Sequence, residues 1–369
     1  MLFNFKNTKN KYHYCIEASN IAGLGSIEVV SNILKSLSNN LDFNKQRIYL
    51  RLPKINFWVN FKDNLNPNWE IVFISRSSNK YFRLISRTFS ILFAPFTLPK
   101  CDNLIILGDF PLRISGNQFL LLHNPHLFER NTQNYFFQFH KFMFKINHKF
   151  VDKCLVQTDV MKSKLHEMYP HFKNRTCTIL MPVNELYVNQ SNKSNNNIDK
   201  TTFFYPASFY KHKNHKIITT LLNEVYNIDK NIFFKLTITE TEYKTLDPKV
   251  LYKQYIKCLG RINQNQVFIE YENCDALFFP STDETYGLPL VEAMSMGKLI
   301  LCADLPYARL LCEDEAVYFN PNNVESLYTG IEMIRKKLKD KYIPDWSSAL
   351  SKLPHSWDEY TTHFLSCTK

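Results

Sequence analysis

The sequence predicts an α/β protein of two domains, each built on a parallel sheet with helices between its strands. Three observations predict it. The chain has 369 residues, 45% of them hydrophobic, which is globular in composition and more than one ordinary core organises. Apolar runs of strand length recur along it with helical patterns between them, the mark of a parallel sheet. The alternation is interrupted once, at 189–200, by "NQSNKSNNNIDK". That segment is polar and Asn-rich, with only Ile198 apolar, and reads as a linker. The expected domains are 1–185 and 186–345, with 346–369 as a terminal helix packing back toward the N-terminal domain.

The first domain opens with the strand "YHYCIEAS". It ends at the Gly-containing turn of "NIAGLGSIEVVSNILKSL", where Ile27, Val30, Ile33, Leu34 and Leu37 recur at helical spacing. The runs "QRIYLRLP", "WEIVFISR", "NLIILGD" and "QFLLLHNPH" follow as strands. "KCLVQTD" leads into the helix "VMKSKLHEMY", and "TCTILMPV" closes the series. After the linker the alternation restarts with "TTFFYPAS", "IFFKLTIT", "YIKCLGRI", "DALFFP", "GKLILCAD" and "AVYFNP". "SWDEYTTHFL" reads as a last amphipathic helix. The polar loops fall at the carboxyl ends of these strands, where parallel sheets bind ligands: Gly23–Ser26, His123, Lys213 and Glu284–Leu288. Two such domains are expected to turn these loops toward a central cleft.

Composition narrows the function. Residues 1–185 carry 24 Lys+Arg against 12 Asp+Glu, and residues 186–369 carry 21 against 22. The basic excess of the chain therefore belongs to its first half, a surface attractive to anionic lipid, nucleic acid or phosphorylated substrates. No zinc-finger, helix-turn-helix or RNP-type pattern accompanies it, so no nucleic-acid partner is expected. No window of eighteen apolar residues suggests a spanning helix. The N-terminal "MLFNFKNTKNKY" lacks an apolar core, so no signal peptide is expected. Nine cysteines without CxxC pairs suit free thiols in a reducing, cytoplasmic setting. Two stretches mix cations with aromatic residues as interfacial segments do. One is "KYFRLISRTFSILFAPF" (80–96), with Phe82, Phe89 and Phe93. The other is "HKFMFKINHKFVDK", with Lys141, Lys145, Lys149 and Lys153.

The most informative segment is "PSTDETYGLPLVEAMSMGK". A helix is expected from about Leu288 to Met296, just after the strand "DALFFP". The Gly287 and Leu288 amides at its start form an anion site, with the helix dipole behind them, and Gly287 lets the backbone approach a phosphate. Glu292, a turn into the helix, can accept two hydroxyls, as from a ribose. Glu284, before the turn, can accept hydroxyls of a sugar.

With Pro280, Ser281, Glu284, Gly287, Leu288, Pro289, Glu292, Ala293 and Met294 in place, the segment resembles the E-x7-E motif of glycosyltransferase family 4. The flanks "CLGRINQNQVFIEYENCDALFFPS" and "EDEAVYFNPNNVESL" agree, as does the Trp-containing tail. The resemblance covers nearly all of 200–367 and, more loosely, the first half. It implies the GT-B fold of two Rossmann-like domains. It also implies a retaining glycosyltransferase that uses a nucleotide diphosphate sugar, with no cofactor and no metal; no DxD motif is seen. In "YPASFYKHKNH" it places a phosphate-binding cation on Lys213. Where many members carry an arginine, this chain has Ser208, and Lys211 or His212 are the candidate replacements. "NIAGLGSIEVV" resembles the family's Gly-rich loop, with Gly25 and Ser26 near the donor. A dinucleotide fingerprint fits it poorly, since Glu28 replaces the third glycine. "LLLHNPH" places an active-site histidine on His123, with His126 competing. Arg261, Ile262, Thr285 and Tyr286 complete the donor-binding positions implied.

Family habit and the charge asymmetry together imply a glycan acceptor, polyprenyl-diphosphate-linked, in bacterial O-antigen or capsule synthesis. They imply an enzyme peripheral at the inner face of the cytoplasmic membrane. The alternatives are an inactive GT-B scaffold, or a GT-B phosphorylase or epimerase.

Overall fold

The computed structural model describes residues 11–75, 79, 93–114, 116–123, 127, 135–183, 187, 200–224, 231–249 and 251–368. It divides into two compact units, Met1–Met181 with Trp357–Lys369, and Pro182–Ser356. His126, all of the 189–200 linker but Lys200, and most of the first basic segment (80–92) lie outside the described residues.

The first unit holds seven strands: β1 (Tyr12–Glu17), β2 (Ile48–Pro53), β3 (Glu70–Ile74), β4 (Cys101–Ile106), β5 (Asn117–Leu121), β6 (Lys153–Val156) and β7 (Thr176–Thr178). They lie in the order β3-β2-β1-β4-β5-β6-β7, and every neighbouring pair is parallel. The second unit holds β8 (Thr201–Tyr205), β9 (Ile232–Leu236), β10 (Ile256–Cys258), β11 (Ala276–Phe279), β12 (Leu299–Ala303) and β13 (Val317–Phe319). Their order is β10-β9-β8-β11-β12-β13, again parallel throughout. Sheets covered on both faces need strands that are apolar on both sides. That is why runs such as "ALFF" read as continuous rather than alternating; Ala276, Leu277, Phe278 and Phe279 are all fully buried.

Both sheets wind outward in both directions from their first strand. The order reverses between β1 and β4 in one and between β8 and β11 in the other. Such a reversal separates two neighbouring loops at the carboxyl ends of the strands and leaves a crevice there.

The helix Trp357–Cys367 belongs to the first unit, packed on the helix Leu24–Asn39. Tyr360 and Phe364 are fully buried. The Ser36 hydroxyl donates to the Trp357 carbonyl at 3.1 Å and shares a 2.6 Å hydrogen bond with Thr361. The third segment expected from the sequence, 346–369, is therefore too long. Residues 346–356 stay with the second unit, where Trp346 is 3% exposed and its Nε1–H donates to the Lys298 carbonyl at 3.0 Å. The chain leaves the first unit after Met181 and rejoins it at Trp357.

The second basic segment, 140–153, begins in the helix Tyr135–Asn147 and runs through the 3-10 turn His148–Phe150 to the start of β6. Met143 and Phe144 are core residues, at 2% and 1% exposure, whereas Phe142 and Ile146 are 58% and 41% exposed. Lys145 is exposed on the same helix, Lys149 is exposed in the 3-10 turn His148–Phe150 that follows, and Lys141 is half-buried. Lys153 does not continue the row, because it starts β6. Phe93 and Phe96, at the end of the first basic segment, are also exposed. All nine cysteines are free thiols. Among the described residues no helix is long and apolar enough to cross a membrane.

Candidate active site

The second unit brings Lys213 and Glu284 together. The loop after β8 carries a 3-10 turn, Lys211–Lys213, ended by Asn214 in a left-handed conformation (φ 50°). The loop after β11 carries Glu284. These loops border the β8/β11 reversal, so the two side chains meet although 71 positions separate them. Lys213 Nζ donates to Glu284 Oε1 in an ion pair whose side chains are 18% and 12% exposed. The two loops are also tied through the backbone. The Thr282 N–H donates to the His212 carbonyl at 2.7 Å, and the Ser281 hydroxyl donates to it at 3.2 Å. Tyr205 O–H donates to the Lys213 carbonyl at 2.8 Å, and Tyr307 O–H to the Ser281 carbonyl at 2.6 Å. Both tyrosines are core residues, so the ion pair stands on a rigid base.

The helix after Glu284 runs Leu288–Ser295 with Gly287 as its N-cap, at φ 94° and ψ 53°. A non-glycine residue is strained there by about 1–2 kcal/mol. A Cβ would also come within 3.1 Å of Leu290 Cδ1. Gly287 is thus demanded by the turn itself, in addition to any ligand. Pro289 sits in the first turn, where its missing N–H costs nothing. Glu292 lies one turn in. Its Oε2 accepts from Tyr271 O–H at 3.0 Å, and the same phenol lies 3.1 Å from the Pro289 carbonyl. Tyr271 is fully buried at the end of the helix Gln264–Glu272. Sequence reading missed it, since nothing in "VFIEYEN" distinguishes a tyrosine that supports a carboxylate from one that fills a core.

The other expected donor-binding positions divide. Ser208 and Thr285 are half-buried in the same two loops. Tyr286 is 1% exposed, so its ring is a core element and only its backbone is available to a ligand. Arg261 follows Gly260 after β10, and its guanidinium pairs with Glu242 rather than with Glu284. Ile262 is half-buried beside it. Of the possible substitutes for the missing arginine, Lys211 is exposed and His212 half-buried.

The first unit has its own polar cluster. Gly25 and Ser26 lie inside the first turn of the helix Leu24–Asn39, N-capped by Gly23, rather than in a preceding loop. His123 follows β5, between the ends of the flanking strands β4 and β6. Its backbone N–H donates to the Asp109 carboxylate from the β4 side. Its Nδ1 lies 3.0 Å from Gln157 Nε2 on the β6 side. Burial pushes the imidazole down to about 4, partly offset by the Leu107 carbonyl. Among the described residues no three His, Cys, Asp or Glu side chains cluster as metal ligands do.

Two doubly wound parallel sheets in successive units, each with a polar loop cluster at its strand ends, make up the GT-B architecture. Solved structures with this fold include a glycosyltransferase from Rickettsia africae, with a TM-score of 0.67 at 15% identity, covering 98% of each chain. The lipopolysaccharide glycosyltransferase WaaG has a TM-score of 0.63 at 11% identity, over 96% of this chain and 95% of its own. HepE from Anabaena, solved with UDP and glucose, has a TM-score of 0.64 at 12% identity, over 97% of both. Residues 188–362 match the family model of glycosyl transferases group 1, a stretch that takes in most of the second unit. Among curated proteins, the O-antigen chain mannosyltransferase RfbU of Salmonella typhimurium is 24% identical over 202 residues, 53% of this chain and 54% of that protein. The O-antigen chain mannosyltransferase B of Escherichia coli is 24% identical over 115 residues, 31% of this chain and 30% of that protein. The chain thus aligns with about half the length of the first relative and less of the second.

Proposed function

We propose that the protein is a retaining glycosyltransferase that moves a sugar from a nucleotide diphosphate sugar to a lipid-linked glycan in O-antigen synthesis. The observation that carries this reading is the meeting of Lys213 and Glu284 at the β8/β11 reversal, beside the N-terminus of the helix that holds Glu292. A diphosphate sugar needs a cation and amides for its phosphates, a carboxylate for its ribose and another for its sugar. Lys213, the Gly287 and Leu288 amides, Glu292 and Glu284 supply these groups within one unit.

In the reaction the anomeric carbon–oxygen bond breaks, and its electron pair stays on the leaving diphosphate. The acceptor hydroxyl attacks the same face and passes its proton to the leaving phosphate oxygen. Lys213 and the helix amides stabilise the charge that builds there, so no metal or cofactor is assigned a part. Glu284 orients the sugar. The names of the curated relatives support the O-antigen setting and a mannose-type donor. A panel of nucleotide diphosphate sugars, tested with a polyprenyl-diphosphate-linked oligosaccharide, examines this reading directly. We expect turnover with one donor or a close pair. Binding without any turnover would leave the inactive-scaffold alternative standing.

The acceptor's lipid asks the first unit to work at the inner membrane face, and the exposed Phe142 and Ile146 beside Lys145 and Lys149 support that. Basic residues near an anionic surface contribute about 1 kcal/mol each, screened by salt, and inserted aromatic side chains add a salt-insensitive part. The protein is therefore expected to sediment with anionic but not neutral vesicles, less so at high salt. Charge reversal of Lys141, Lys145 and Lys149 to Glu should weaken sedimentation further. Equal recovery in the supernatant with both lipids at low salt would instead assign the basic half to a soluble acceptor.

A further inference from the structure

We infer that Asn20 is a positioning residue: its side-chain amide bridges the reversal between β1 and β4 and fixes where the loop 18–23 meets a substrate. The substrate rests on the transferase reading above; the bridge does not. The loop opens with a tight turn, in which the Ile21 N–H donates to the Ala18 carbonyl at 3.0 Å. Ser19 and Asn20 stand at its corner. Three consecutive residues are then tied to three different places. The Ser19 N–H donates to Glu17 Oε1 at 2.9 Å, and Glu17 is itself paired with Arg51 of β2, both side chains being buried. The Ile21 carbonyl accepts from Trp58 Nε1–H at 2.8 Å, out of the helix Asn56–Phe61 that follows β2. Asn20 Nδ2 donates to the Gly108 carbonyl at 2.5 Å. A carbonyl only accepts, so the amide atom facing it is the nitrogen. Of these three ties, the one from Asn20 alone crosses to the loop after β4.

That crossing lies where a doubly wound sheet takes its ligand, between the loops on either side of the strand-order reversal. The far side of the bridge is fixed. The Leu107 N–H donates to the Glu17 carbonyl at 2.9 Å, and the Gly108 carbonyl also accepts from the Phe110 N–H at 2.7 Å. Asp109, left-handed at φ 57°, holds the backbone N–H of His123 at the next strand end. Gly108 is buried, and a Cβ built on it would overlap Asn20, since the three atoms nearest to it all belong to the Asn20 amide. Gly108 is not among the glycines at positive φ. Glycine is needed there for the close approach of the amide, not for the backbone angle. The loop that Asn20 anchors runs straight into the exposed Gly23 and Gly25, at the start of the helix Leu24–Asn39. Without the bridge, the ties at Ser19 and Ile21 hold that start from the β2 side alone.

The test is amide hydrogen exchange over residues 18–26 of the full chain, read by mass spectrometry in Asn20→Ala, Asn20→Asp and Gly108→Ala. Asn20→Asp keeps the shape of the side chain and loses the donor. Gly108→Ala leaves Asn20 in place and pushes its amide off the carbonyl. Each should speed exchange about tenfold, the scale of one lost hydrogen bond. Gly108→Ala added to Asn20→Ala should change nothing more, because the atoms it would meet are gone. The transferase reading puts Gly25 and Ser26 near the donor. On that reading each single variant should raise KM for the complete nucleotide sugar about tenfold. Affinity for bare UDP or GDP, held by the second unit, should stay unchanged. A merely structural loss would lower kcat through a smaller active fraction and leave KM where it was. Unaltered exchange in the single variants, or full additivity in the double, overturns the bridge whether or not a donor sugar is ever found. Faster exchange with unchanged KM overturns the positioning role.

Discussion

Replacing Lys213 by Ala is expected to weaken binding of bare nucleoside diphosphate about a hundredfold. A charge-assisted contact is worth about 1.5–3 kcal/mol, or about ten- to a hundredfold. The substitution also does a second thing. Lys213 neutralises the Glu284 carboxylate, which is only 12% exposed. Without the lysine, that carboxylate stands unpaired beside the incoming phosphates and repels them, which puts the expected loss at the upper end. Titration calorimetry with UDP, GDP and ADP measures it, and unchanged affinity would sink the assignment of Lys213. Glu284→Gln added to Lys213→Ala should restore part of the loss, because it removes the repulsion.

The second large effect concerns Glu284 alone. Its bond to Lys213 means that a bare diphosphate must compete with a carboxylate for the same cation. Under the proposed reading a complete donor would not, because its sugar hydroxyls would give Glu284 new partners as the phosphates took Lys213. Glu284→Gln should therefore raise affinity for bare nucleoside diphosphate severalfold while lowering turnover about a hundredfold, the upper range for hydrogen bonds to a charged group. The ion pair gives the change in nucleotide affinity its sign. A covalent glycosyl adduct on Glu284, trapped with a slow donor and seen by mass spectrometry, would replace same-face attack by a nucleophilic mechanism.

The residues that could be read along the chain share one property, which is that their signals are local. A buried parallel strand needs an unbroken apolar run, so "TTFFY" and "ALFF" declare β8 and β11 in any context. The turn into the helix at Leu288 needs a residue tolerant of positive φ and a proline in the first turn, and Gly287 and Pro289 spell that out. Glu284, Glu292 and Lys213 could be nominated because each stands at a strand end or helix start. Their meeting could not be read directly, since it depends on the order of strands in the sheet.

By itself the sequence determined two parallel α/β domains and the motif that marks the second. Tertiary structure decided which side chains act on one another. It placed β11 beside β8, which joined Lys213 to Glu284 across 71 positions. It set Tyr271 under Glu292 and turned Tyr286 into the core. It put β4 and β6 on either side of β5, so that Asp109 and Gln157 hold His123. It also returned the chain to the first unit at Trp357 rather than at Trp346. Apolar periodicity encodes whether a segment is buried, but not what it is buried against. A tyrosine under a carboxylate and a tyrosine in a core carry the same local pattern, and only the packed sheet distinguishes them.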